Sequence, residues 1–163
     1  MGLSAWFDPT KNWDAADGPA PDPGPSLQIA LLPFGSPIES ARALGKPDHF
    51  EWKSRRGQRY ELLYARRGLR LRFEGGQLVE VSYLIAPAAC DHPSFTPSQP
   101  LAPDGTRLTP NVDRAQVVKI FGEPDPRGSE DTCLQIFHGH GVASDFYLDD
   151  GGHLTEWSLY PDD

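Results

Sequence analysis

The chain has 163 residues, 38% of them hydrophobic, which suits one ordinary domain with a buried core. Its formal net charge of −8 argues against a general nucleic-acid binder, and its apolar runs fall far short of a membrane-spanning helix. Seventeen prolines and sixteen glycines make up about a fifth of the chain, below the level that marks low-complexity disorder.

The prolines are unevenly placed. Seven lie in 1–37 and eight in 87–126, while 48–86 and 127–160 have none. Proline cannot donate to a strand ladder, so the two proline-free blocks are where a sheet can form. Residues 1–26 read as a proline-rich arm, with Trp6, Phe7 and Trp13 pinning it to the body or serving a partner. A short strand is expected at 27–32. A helix then starts at Ser36-Pro37-Ile38-Glu39, which has the form of a capping box, with Ile38, Ala41 and Leu44 facing inward. Gly45 and Pro47 end it. Strands follow at 60–65, 69–73 and 79–85. Leu69-Arg70-Leu71-Arg72-Phe73 alternates strictly, placing both arginines on one face. A three-residue loop, Gly75-Gly76-Gln77, would oppose Leu71 to Val81, Arg72 to Glu80 and Phe73 to Val79. After a second proline-rich stretch, 87–108, a helix opens at Thr109-Pro110, with Val112, Ala115, Val118 and Phe121 on one face. It ends at Gly122, and strands follow at 133–138, 142–148 and 155–160.

The two halves match each other. Ala43-Leu44-Gly45-Lys46-Pro47-Asp48 aligns with Ile120-Phe121-Gly122-Glu123-Pro124-Asp125. Gly75-Gly76-Gln77-Leu78-Val79-Glu80-Val81-Ser82 aligns with Gly151-Gly152-His153-Leu154-Thr155-Glu156-Trp157-Ser158. The expected fold is therefore α+β: two tandem units, each a helix plus a three-stranded meander, forming one antiparallel sheet with both helices on one face. The expected segments are an arm at 1–26, a first unit at 27–86, a connection at 87–108 and a second unit at 109–163. Leu44-Gly45-Lys46-Pro47 with Leu71, Phe73 and Gly76, and Phe121-Gly122-Glu123-Pro124 with Phe146 and Gly151, resemble the repeat of the small outer-membrane lipoprotein family SmpA/OmlA (BamE). In tandem the pattern also resembles the β-lactamase inhibitor proteins. The resemblance implies a protein that acts by binding another protein and brings no catalytic residue with it. The chain departs from both families in showing no lipobox and no pair of evident disulfides.

The start, Met1-Gly2-Leu3-Ser4-Ala5-Trp6, has neither a basic segment nor a long apolar one. A cytoplasmic protein with reduced Cys90 and Cys133 is the expectation. Charge is polarised: 53–72 carries +7 and 123–163 carries −9. Arg70 and Arg72, with Arg55, Arg56, Arg59, Arg66 and Arg67 beside them, form a candidate partner-binding face. Trp52, Tyr60 and Tyr64 would be its aromatic component. The alternative for these arginines is a solvated edge that discourages strand pairing. His138, His140 and His153 are weak candidates for a metal site or a metal-dependent enzyme. No serine elbow, phosphate loop or zinc-protease motif is present. The leading expectation is a non-enzymatic protein-binding module without cofactor, a monomer or weak dimer that touches neither nucleic acid nor membrane. In its narrowest form it is a bacterial immunity or inhibitor protein that neutralises a toxin or enzyme. A small-ligand-binding domain is the remaining alternative.

Overall fold

The computed structural model describes residues 7–163, so Trp6 lies outside the described residues. The architecture is a single seven-stranded antiparallel sheet in the order β1-β2-β3-β4-β7-β6-β5. The strands are β1 His49–Ser54, β2 Arg59–Tyr64, β3 Leu69–Glu74, β4 Gln77–Leu84, β5 Cys133–Phe137, β6 Val142–Leu148 and β7 Leu154–Pro161. Among the described residues one α-helix, α1, spans Arg114–Phe121. The described residues include no helix long and apolar enough to cross a membrane.

This corrects the expectation of two helix-plus-three-strand units. Ile38–Leu44 is a 3₁₀ helix with no side-chain cap, and the hydroxyl of Ser36 donates instead to the Pro33 carbonyl. The reason is visible in the spacing. Ile38, Ala41 and Leu44 recur every third residue and all three are buried. A helix of three residues per turn stacks that pattern on one side, whereas an α-helix would rotate it away. The first half also has four strands, because Phe50 and Trp52 alternate with Glu51 and Lys53 along β1. The second helix starts later than the Thr109-Pro110 signal. Asp113 caps it, accepting from the Gln116 amide while the Gln116 side chain accepts from Asp113. Val117 is its buried residue, and Ala115 faces solvent. At 27–32 a single bridge, Ile29 to Leu32, replaces the expected strand.

The β3–β4 hairpin keeps Leu71 opposite Val81 and Arg72 opposite Glu80, but Phe73 faces Leu78 rather than Val79. Gly75 and Gly76 both have positive φ, 60° and 75°, so they form a two-residue turn. A bulge after Arg72 absorbs the remaining residue and keeps Leu69, Leu71, Phe73, Leu78, Val81 and Tyr83 in the core.

The halves join where β4 pairs with β7. Ser82 lies opposite Ser158 there, and Tyr83 lies opposite Trp157. Tyr83, Trp157, Phe146 and Phe73 are fully buried on one face of the sheet, and Phe121 of α1 packs on Phe146 and Trp157. Each such ring removes 150–250 Å² from water, an upper bound of about 4–6 kcal/mol per side chain. The proline-rich stretches are stitched to this core. Trp13 of the arm, Leu27, Ile29 and Leu32 just after it, and Ala102 and Leu108 of the connection are all buried in it. Phe7, in contrast, is 54% exposed.

Candidate functional site

The strands alternate, so the sheet's second face can be read directly from the pairing. One continuous row on it runs His49, Leu63, Arg70, Ser82, Ser158, Asp145, Gln135 across all seven strands. Among the described residues no α-helix lies on this face; the 3₁₀ turn Pro87–Ala89 and the residues after it cross one corner, next to Leu63, Arg70 and Leu84.

The ten residues expected to form a partner surface are not gathered on one face. Tyr60 and Tyr64 are buried on the core side, where the Tyr64 hydroxyl donates to the Gly45 carbonyl. Burial pushes the Tyr60 phenol up to about 12. Trp52 packs edge-on against Tyr60 on that same side and donates its indole N–H to the Phe7 carbonyl. Arg55 and Arg56 lie in the β1–β2 turn, while Arg66 and Arg67 lie in the β2–β3 turn at the far end of β2. Arg66 pairs with Asp48 at 2.8 Å. Arg67 clamps the arm, donating to the carbonyls of Asp17, Gly18 and Leu44.

Arg59, Arg70 and Arg72 do share the second face, but each is matched there. Arg59 meets Glu74, Arg72 meets Glu80 at 2.9 Å, and Arg70 bridges Glu61 at 3.5 Å and Glu156 at 2.5 Å. Counted along the strands, Lys53, Arg59, Arg70 and Arg72 stand among Glu51, Glu61, Glu74, Glu80, Asp145 and Glu156. The face is thus mildly acidic, not basic. The serines beneath close the network: the hydroxyls of Ser82 and Ser158 lie 2.8 Å apart, both buried.

What sequence reasoning missed sits at the other end of this face, on β5, β6 and β7. Phe137 and Tyr147 are 47% and 38% exposed, beside Tyr160, Gln135 and Asp145. Tyr160 donates to Asp145 at 2.8 Å and accepts from the Gln135 amide at 2.7 Å. Burial raises the Asp145 carboxyl above its usual range, against the lowering effect of the hydrogen bonds from Tyr160 and Tyr147. The signal was present: 133, 135 and 137 share a face by period two, as do 143, 145 and 147. Only the pairing register shows that the two sets share one surface.

The histidines do not converge. His138 stands where β5 ends, its Nε2 2.7 Å from the Ser144 hydroxyl on the core side. His153 stands in the β6–β7 turn, held by Asp149. The length of β6, roughly 20 Å at 3.3 Å per residue, separates them. Burial, with the His140 ring stacked 6.2 Å away, pulls the His138 imidazole down to about 4. Among the described residues no group of three or more His, Cys, Asp or Glu is placed to hold a metal. Cys133 lies on the second face, opposite to His138, and burial raises its thiol to about 11, so it is a poor nucleophile at neutral pH. Cys90 and Cys133 are both free.

A cleft of about 400 Å³ between the arm and the connection is lined by Asp22, Arg66, Arg67, Tyr83, Ser98 and Arg107. Some of its polar groups are spent on the fold: Arg107 on Asp22, Tyr83 on the Pro21 carbonyl, Ser98 on the Leu84 carbonyl. It lies at the join between the arm and the connection. Comparison with known proteins finds no matching family model and no similar curated protein or solved structure.

Proposed function

We propose that this chain is a non-enzymatic protein-binding module that docks a basic protein surface on the second face of its sheet. The observation that carries the reading is the strip on β5–β7. Exposed Phe137 and Tyr147 stand there with Tyr160 among carboxylates, on paired strands of the sheet. Aromatic anchors inside a polar rim are the usual composition of a protein interface. The segment 123–163 carries −9, which favours a cationic partner and speeds its encounter. The narrowest form of the reading is an immunity or inhibitor protein that blocks a toxin or enzyme, acting in the cytoplasm.

The test is affinity capture followed by binding measurements on the captured protein. Tyr147→Ala with Phe137→Ala should weaken binding by at least about tenfold, in line with interface anchors. Leu31→Ala, at an exposed side chain away from this face, should leave binding within about twofold. Equal affinity for the Tyr147/Phe137 variant, at an unchanged melting temperature, rules the strip out.

A further inference from the structure

The join between the arm and the connection gathers three guanidinium groups. Arg66 and Arg67 of the β2–β3 turn and Arg107 of the connection line the cleft of about 400 Å³ there, and Asp22 is the one carboxylate in its lining. The lining thus carries three positive charges against one negative, in a chain whose formal net charge is −8. The fold does not use these groups up. Arg66 gives its main-chain N–H and its Nε to Asp48, and among the described residues its two Nη atoms have no hydrogen-bond partner. Arg107 gives only Nη1, to Asp22 and the Gln99 carbonyl, which leaves Nε and Nη2 unused by the described residues. Arg67 bonds to the carbonyls of Gly18, Leu44 and Asp17, so no carboxylate among the described residues offsets its charge. Arg66 and Arg107 are exposed, 61% and 54%, and can turn their spare N–H groups onto a ligand. The main-chain N–H and side-chain amide of Gln99, in the same lining, also donate to nothing among the described residues.

We propose that this cleft binds the phosphate group of a small ligand. Like charges lining one concavity repel each other and focus a positive field, which a bound anion relieves. Each guanidinium offers a planar fork of N–H donors that matches phosphate oxygens. The surplus of two positive charges matches a phosphate monoester, about −1.5 to −2 at pH 7, better than a single carboxylate. The volume lies at the small end of ligand pockets, roughly 300–1,000 Å³, which suits a metabolite. Pro19, Ala20 and Pro97 supply an apolar wall for the rest of such a molecule. Because the arm, the β2–β3 turn and the connection all contribute to the lining, a bound phosphate also ties the three together. No residue of the β5–β7 strip lines the cleft, so the site stands or falls independently of the protein-docking surface.

The probes are inorganic phosphate and AMP, titrated into isotope-labelled chain at about 0.1 M ionic strength and followed by amide chemical shifts. The amides of Arg67, Thr96, Ser98 and Gln99 should shift together, with a Kd of about 1 mM for phosphate. A tighter Kd for AMP assigns the site to a phosphate ester, and an equal one assigns it to free phosphate. Acetate, with a single charge, should bind at least about tenfold more weakly. Arg66→Gln and Arg107→Gln should each weaken phosphate binding by about fivefold or more, as expected for a lost bond to a charged group. Arg56→Gln, in the β1–β2 turn at the opposite end of β2, should leave it within about twofold. The wild-type titration decides the matter if Arg107→Gln, which also loses Asp22, fails to fold. No shift in the cleft up to about 20 mM phosphate, acetate as tight as phosphate, or Arg66→Gln binding like wild type each overturns the proposal.

Discussion

Arg70 is the residue whose role the tertiary structure changes most, and its replacement gives a quantitative test. Its side chain is 26% exposed and reaches Glu61 and Glu156, themselves 13% and 15% exposed. Arg70→Met keeps the apolar stem and removes the charge. Glu61 retains Lys53 at 2.9 Å, but Glu156 keeps only the Ser158 hydroxyl at 3.2 Å. Breaking a fully buried pair costs about 3–5 kcal/mol and an exposed one about 0–1. This partly buried network falls between, at about 2–3 kcal/mol. For a chain of this size each kcal/mol lowers the melting temperature by about 2–4 °C, so Arg70→Met should lose roughly 5–10 °C. Arg72, at 45% exposed and paired only with Glu80, should lose less than about 4 °C on the same change. Calorimetry of both variants at pH 7 reads this directly. Adding Glu156→Gln to Arg70→Met should recover much of the deficit, because it removes the orphaned carboxylate. Equal small losses for the two arginines, or no recovery in the double variant, would refute the network. Reversing Arg70 to Glu would set a third carboxylate beside Glu61 and Glu156, so that variant reports on folding before it reports on any partner.

Gly68 and Gly75 both sit near φ +60°, yet should respond differently to alanine. A Cβ at Gly68 would meet the Ser98 amide and the Leu84 and Thr96 carbonyls, so Gly68→Ala should cost about 2–4 kcal/mol in a denaturant titration. Gly75 has open space, and only the backbone strain of about 1 kcal/mol applies; equal costs would refute the packing of the connection. His138 supplies a pH test. It is held down to about 4 in the fold, while an unfolded histidine titrates near 6.5, so the unfolded chain binds the proton first. Its contribution to stability is therefore intact above about 6.5, falls as pH drops towards 4, and levels below. His138→Gln should flatten the melting-temperature profile across pH 6.5–4 relative to wild type, by about 1–2 kcal/mol after allowing for its partial exposure. Superimposable profiles would show that the ring is solvated.

Local pattern determined much of the sheet. Period-two alternation gave six of the strands, and the proline gaps marked where they lie. It also placed Leu71 against Val81 and Arg72 against Glu80, because a one-residue slip would expose the apolar set. Other features depended on rules the residues stated less plainly. Ile38, Ala41 and Leu44 fit three residues per turn better than 3.6, and β1 hid behind the turn residues that precede it.

What remained belongs to tertiary structure alone. Sequence put Arg70 on an outward face, but only the β4–β7 junction, between strands 76 residues apart at Ser82 and Ser158, brings Glu156 to it. The same junction turns a segment rich in arginine into an acidic surface. Alternation separates Tyr60 and Tyr64 from the arginines it was expected to keep them beside, because successive side chains of a strand point to opposite faces. Charge and aromatic content can be counted along a chain. Whether a charge is spent internally, and which rings reach solvent together, depends on register across strands that the chain itself keeps far apart.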